Sequence, residues 1–435
     1  MPRVTRKGKL LAISLAVVLG TPVVARLAIE IWASYRLSAF EMFWTKGIGA
    51  ERARAATRPS PVLAGAPIDQ NAAPRYRELL PRAGEIEKKE LESVLSSPPR
   101  APFPEDLKAL LDAHRQDLAQ LREIVRCSRC DWELRYEKEG ALAELPDLRK
   151  GFNLATLLVL EGHERASVGD TDGAADRYLE SARIGIDFAR GPTIAYLTGG
   201  LMIRQALLSL GRLLVETPRE ALEHLDTIEA RLKQLEPAIP SAADAFRVER
   251  LAKPGVLRAK LAERLENAPS GTGSGIASRL VSNRVLLALA LIEIDGRFAV
   301  AEGAASARTL SERRELLSFL RGRESPEGDP LFDEKAPAGY VESVSRRGDE
   351  QLAWLRVVLA AVLLEKHRAR NGSYPKDASG IALPEDPHAR PALLRYEALG
   401  EGTGYRVWSV GLNEVDDGSR GDDLVLERRS PDSGK

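Results

Sequence analysis

Apolar residues return at three- and four-residue steps along most of this chain, the spacing that places them on one face of a helix. Leu107, Leu110, Leu111, His114, Leu118, Leu121 and Ile124 form one such stripe with charges opposite, and Pro102, Phe103 and Pro104 mark its start. A clearer signal runs over residues 152–190. Leu154, Leu157, Leu158 and Leu160 form a first helix, Gly169-Asp170-Thr171-Asp172-Gly173 a turn, and Ala174, Ala175, Tyr178, Ser181, Ala182, Ile184 and Phe188 a second. The pair reads as an αα-hairpin, with Gly162 and Ala166 before the turn and Ala174 and Ser181 after it where two helices must approach closely. Helical patterning continues over 194–215 and 218–235, closed by Pro237 and Pro240, and again over 282–320. The stretch 267–275 is a flexible break. No strand precedes its glycines, and Ile276 stands where a dinucleotide fingerprint needs glycine, so it reads as a linker.

Beyond the proline- and glycine-bearing interval 321–338 the character changes. Leu352, Leu355, Val358, Leu359, Val362 and Leu363 predict a helix that stops at Asn371-Gly372, a left-handed end. Residues 393–398 and 405–410 alternate apolar with polar, with a turn at 400–404 between them, and predict an antiparallel hairpin followed by Leu424, Val425 and Leu426. The fold class expected is therefore mainly α, a helical-hairpin bundle with a small C-terminal α+β module. The hairpin resembles a tetratricopeptide repeat, with Gly162, Gly169, Asp170, Ala174 and Tyr178 in signature places, although Ile186 replaces the closing proline and no second copy recurs at a fixed period. The expected organisation is a segment 1–36, a stalk 37–73, a helical domain 74–320, a linker 321–347 and a module 348–435.

Arg3, Arg6, Lys7 and Lys9 precede an apolar run over 10–24, and apolar character resumes after Arg26 in Leu27, Ala28, Ile29, Ile31 and Trp32. Residues 10–32 are long enough to cross a bilayer, and Trp32 and Tyr35 suit an aromatic belt at its surface. Val23 and Ala25 also satisfy the small-residue pattern of a cleaved signal peptide. The anchor reading puts a single-pass helix in a bacterial cytoplasmic membrane, with the N-terminus cytoplasmic and the bulk of the chain outside. The stretch 47–73, rich in Ala, Arg, Pro and Gly, reads as a tether.

Composition narrows the partners. Lys plus Arg and Asp plus Glu both number 63 in 435 residues, with no basic block beyond the N-terminus, which argues against nucleic-acid binding. The cysteines, Cys127 and Cys130, lack the further ligands of a zinc site, so the pair reads as a local disulfide or as two unpaired helical thiols. His163-Glu164 lacks the second histidine of a zinc-protease helix, and no Gly-x-Ser-x-Gly elbow occurs. No cofactor is expected from motifs.

Asn371, Gly372, Tyr374, Pro375, Asp386, Pro387, Tyr396, Ser409, Gly411 and the acidic loop after it follow the order of elements in the globular end of type II secretion major pseudopilins, which the last 85 or so residues resemble. In that family the acidic loop binds calcium, and the resemblance implies Asn413, Asp416, Asp417, Asp422 and Asp423 as ligands, since a hard cation takes six to eight oxygens. The prepilin signature is missing from the N-terminus, which sets pilus assembly aside. The whole layout resembles a planctomycete-type family of membrane-anchored helical proteins that brings no established activity. The expected function is thus an extracytoplasmic interaction or scaffolding protein with the lipid bilayer and an envelope protein as partners. The alternative is an envelope enzyme whose site is assembled from residues distant in sequence.

Overall fold

The computed structural model describes residues 6–63, 65–83, 97–136, 145–217, 224–266, 284–307, 309–321 and 337–429, with side chains described from residue 31 and not over 256–289. The chain is mainly helical, with a small sheet near its C-terminus. The glycine-rich break at 267–275 lies outside the described residues, as do the side chains of the run 10–24 on which the anchor reading rests. Among the described residues no helix is long and apolar enough to cross a membrane.

Helix α1 (Arg6–Thr57) has 52 residues, about 78 Å at 1.5 Å per residue. Its second half is not a tether. Phe40, Trp44 and Ile48 recur on one face and are buried, and Trp44 Nε1 donates to the Leu251 carbonyl at 2.8 Å. The residues after it are packed as well: Ser60 and Leu63 are buried, and β1 (Ile68–Asn71) pairs in parallel with β2 (Cys127–Arg129). A composition rich in Ala, Pro and Gly misleads here because the few large side chains are widely spaced and the prolines offer carbonyls to arginines from elsewhere.

Next come α2 (Ala72–Leu79), α3 (Glu105–Ala113) and α4 (Arg115–Ile124). The stripe 107–124 is two helices, because at His114 (φ −101°, ψ 12°) the backbone leaves the helical range. The expected αα-hairpin is present as α5 (Leu148–Ser167) and α6 (Thr171–Phe188), each capped by an aspartate: Asp147 accepts from Lys150 N and Asp170 from Gly173 N. Tyr178 of α6 lies over Gly162 of α5, where an added Cβ would come within 2.4 Å of the ring. α7 (Thr193–Glu216) crosses α6 closely enough that a Cβ on Gly199 would lie 2.4 Å from the Gly185 carbonyl oxygen. Backbone cannot yield as a side chain can, so only glycine fits there.

α8 (Leu225–Leu235), α9 (Ala242–Glu266), α10 (Arg284–Ser306), α11 (Leu310–Arg321) and α12 (Pro337–Asn371) complete the helices. Residues 337–347 of the interval expected as linker, and the boundary at 348, lie within α12, while 322–336 lie outside the described residues. Its buried residues Leu355, Val358 and Val362 share one core with α6, α7, α8 and the sheet. That sheet, β3 (Arg395–Leu399), β4 (Gly404–Ser409) and β5 (Leu424–Arg428), is antiparallel in sequence order. Its inner residues Tyr405, Val407, Leu424 and Leu426 are buried, and Arg428 donates to the carbonyls of Leu214 (2.8 Å) and Thr217 (2.7 Å) past the end of α7. The C-terminal sheet is therefore seated on the helical body.

Candidate functional site

The acidic loop joins β4 to β5, and its path needs left-handed backbone at Gly411, Gly418 and Gly421. The structure brings Asp417, Asp422 and Asp423 together, with one carboxylate oxygen from each within 4.8 Å of the others. Asn413 belongs to the same cluster through its backbone N–H, which donates to Asp422 Oδ2 at 2.8 Å, and through its Nδ2, which donates to Asp417 Oδ2 at 2.7 Å. Its own amide oxygen accepts from Val415 N at 2.8 Å, so Asn413 orients the carboxylates of the cluster. Asp416 is turned away. It meets Arg395 Nε at 3.0 Å and Trp408 Nε1 at 3.1 Å. Burial pushes its carboxyl up, and the donors on Trp408, Gly418 and Arg395 outweigh this and hold it below the usual range. Asp423 moves the other way, raised by burial and by the charges of Asp416 and Asp417. Three crowded carboxylates, one already pushed toward its neutral form, suit a hard cation that would neutralise them.

Cys127 and Cys130, expected as a local disulfide, are buried free thiols. The reason is the extended backbone of β2: three residues of such chain separate two Cα atoms by roughly 10 Å, whereas a disulfide needs less than about 7 Å. Burial first, and the charge of Asp187 second, push the Cys130 thiol well above its ordinary value. It stays protonated, and no redox or nucleophilic role follows from it.

Cys130 instead lines a cleft that sequence reasoning missed. Next to it lies a polar knot at the end of α6, which reaches the cleft through Arg190, Cys130 and Trp132. Arg183 and Asp187 form an ion pair one helical turn apart, both fully buried. Asp187 also accepts from Ser60 Oγ and from the Tyr76 hydroxyl, each at 3.1 Å, while its carbonyl accepts from Trp132 Nε1 at 2.9 Å. Arg183 donates onward to the carbonyls of Pro61 (2.7 Å) and Cys127 (3.1 Å). Arg190 donates to Ser60 Oγ (2.8 Å) and to the carbonyls of Cys130 (3.2 Å) and Pro59 (2.6 Å). One carboxylate and two guanidinium groups thus fasten the segment after α1, helix α2 and the residues around β2 to the helical hairpin. The available sequence signal was Arg183 and Asp187 at i and i+4 beside Ile184, Ile186 and Phe188, since charge amid an apolar stretch of helix is stable in a core only when it is paired.

Above the knot the cleft encloses about 930 Å³ between the ends of α1 and α2, the segment 130–136, the turn 189–191 after α6, and the starts of α5 and α9, which is within the usual range for a binding site. Arg52, Arg58, Arg77, Arg135, Lys150 and Arg190 face five acids, Glu51, Asp131, Glu133, Asp147 and Asp244. Most of the acids are committed. Asp147 caps α5, Asp131 accepts from Glu133 N at 2.9 Å, and Asp244 holds Ser241 N and pairs with Arg58 and Arg247. Burial raises the Glu51 carboxyl against the pull of Arg54. Arg77 by contrast spends its guanidinium on the Trp132 carbonyl and ring. Among the described residues no carboxylate pairs with Arg77 or with Lys150. The cleft combines these cations with the aromatic side chains of Trp132 and Tyr136, an arrangement suited to recognition of negative charge.

Comparison of the chain with protein-family models, with curated proteins and with solved structures gives no match.

Proposed function

We propose that this chain is a membrane-anchored, extracytoplasmic interaction protein whose cleft takes a carboxylate-bearing segment of an envelope partner. The observation that carries the reading is the cleft itself, in which, among the described residues, no carboxylate pairs with Arg77 or Lys150 while Asp147 is engaged in capping and Asp244 in ion pairs. The basic n-region and the apolar stretch 10–32 supply the anchor. The close helical hairpin, with Tyr178 on Gly162, supports a tetratricopeptide-like interaction scaffold. A photo-crosslinking residue at Leu134 of the intact protein, in its own membrane, is expected to capture a discrete partner. The double variant Arg77→Glu, Lys150→Glu is expected to abolish that product while Arg77→Lys retains it. Capture that is indifferent to both charge reversals would end the carboxylate reading.

Calcium at the acidic loop is the companion proposal, supported by the approach of Asp417, Asp422 and Asp423 and by the order of elements shared with pseudopilins. A site in the native state alone gains about 2.7 kcal/mol at a hundredfold excess over Kd. Melting of the full chain is therefore expected to rise with calcium against chelator, and Asp417→Asn with Asp422→Asn is expected to remove the rise. Equal melting of the wild type in both conditions would leave the loop a polar turn.

A further inference from the structure

Helix α1 has a second face that the body does not cover. Phe40, Trp44 and Ile48 point into the core, whereas Ile31, Trp32, Tyr35, Met42 and Phe43 are exposed by 61, 43, 73, 71 and 56%. At 100° per residue these five fall within a sector of about 120°, on the side opposite the buried three. An apolar stripe of this kind on a monomer marks a contact.

We propose that the exposed stripe of α1 lies in the headgroup layer of the membrane and seats the folded body directly on the bilayer surface. This rests on the anchor reading, and goes beyond it, because an anchor alone leaves the body free above the membrane. Three observations choose lipid as the occupant. The stripe continues, on the same unbroken helix, from the residues 10–32 that the anchor reading places in the bilayer. Its composition is that of a membrane interface, with Trp32, Tyr35 and Phe43 among aliphatic residues. A cation stands beside the stripe where a phosphate would be: Arg36 lies 5.7 Å from the Trp32 ring centroid. The stripe is about 18 Å long, while each headgroup layer is only about 5–8 Å deep. α1 must therefore lean towards the membrane plane along this stretch, and the leaning brings the body down with it.

The test uses the full chain in nanodiscs of phosphatidylcholine with anionic phosphatidylglycerol, spin-labelled at Tyr35→Cys or Met42→Cys, with Asp106→Cys on α3 as the solvent reference. Collision with oxygen, which concentrates in lipid, is expected to exceed collision with a water-soluble nickel chelate at Tyr35 and Met42, and the order is expected to invert at Asp106. Labels at Tyr35 and Met42 that behave like Asp106 would overturn the proposal while leaving the anchor intact. Labels shielded from both reagents and broadened by a second label would assign the stripe to another copy of this chain, which also overturns it. Carbonate release of the chain from the bilayer would remove the anchor and this proposal together.

Discussion

Asp187→Ala is expected to lower the stability of the whole protein by about 3–5 kcal/mol, the usual cost of removing one partner from a buried ion pair. The carboxylate is the common acceptor for Arg183, Ser60 and Tyr76. Its loss leaves a guanidinium with no exposed surface unpaired inside the core, with Arg190 close behind it. The damage is expected to spread to the cleft, because Ser60, Cys130 and Trp132 are held to α6 through the same knot. Urea unfolding with hydrogen exchange checks both parts. Global destabilisation should appear together with faster exchange over 59–61 and 127–132. The double variant Arg183→Met, Asp187→Leu should recover much of the lost stability, since an apolar pair leaves no stranded charge. A loss below about 1 kcal/mol for Asp187→Ala would mean that water reaches the knot and that it does not organise the cleft.

The second large effect is expected at Arg428, whose side chain runs from β5 to the end of α7. It donates to Leu214 and Thr217 and pairs with Glu365 at 3.1 Å, and the Tyr374 hydroxyl donates to the same carboxylate at 2.9 Å. Arg428→Met would strand Glu365 in the interior and leave two carbonyls without donors, at a cost of about 3–5 kcal/mol. The variant also asks whether the C-terminal sheet is an independent module. Because its inner face shares one core with α6, α7, α8 and α12, sheet and helices are expected to unfold in one transition, in the wild type and at lower denaturant in the variant. Fluorescence dominated by sheet tryptophan, in a variant retaining Trp408 alone, should coincide with helical circular dichroism. A separate early transition of the sheet would show that the shared core does not couple them.

The elements that could be read from the chain are those whose cause is local. The hairpin over 152–190 was legible because the 3.6-residue period and the Gly169-Asp170 turn are properties of neighbours in sequence, and α5 and α6 follow them. The β-hairpin was legible because alternation over 393–398 and 405–410 has period two, and Tyr396 indeed pairs with Val407. The loop between β4 and β5 was legible as a cluster of acids from composition. Which of those acids converge was not, since Asp416 is claimed by Arg395 and Trp408, partners that sheet register alone puts within reach.

Everything that depends on which surfaces meet was settled by tertiary structure. The stretch 37–73 reads as a tether by composition and is instead packed, because α9 supplies a carbonyl for Trp44 and α6 supplies Arg183 and Arg190 for the prolines after α1. Cys127 and Cys130 stand close in sequence but are separated by extended backbone that pairs with β1. The cleft draws on α1, α2, the segment 130–136, the turn 189–191 after α6 and the starts of α5 and α9. No local period could announce it, because its walls come from segments far apart in the chain. The sequence by itself determined the elements with a strong local period, such as α5, α6 and the hairpin of β3 and β4, through backbone periodicity and turn chemistry. The tertiary structure decided which face of α1 is covered, which charges are buried together and where a ligand has room, because burial and pairing depend on distances that only the folded chain sets.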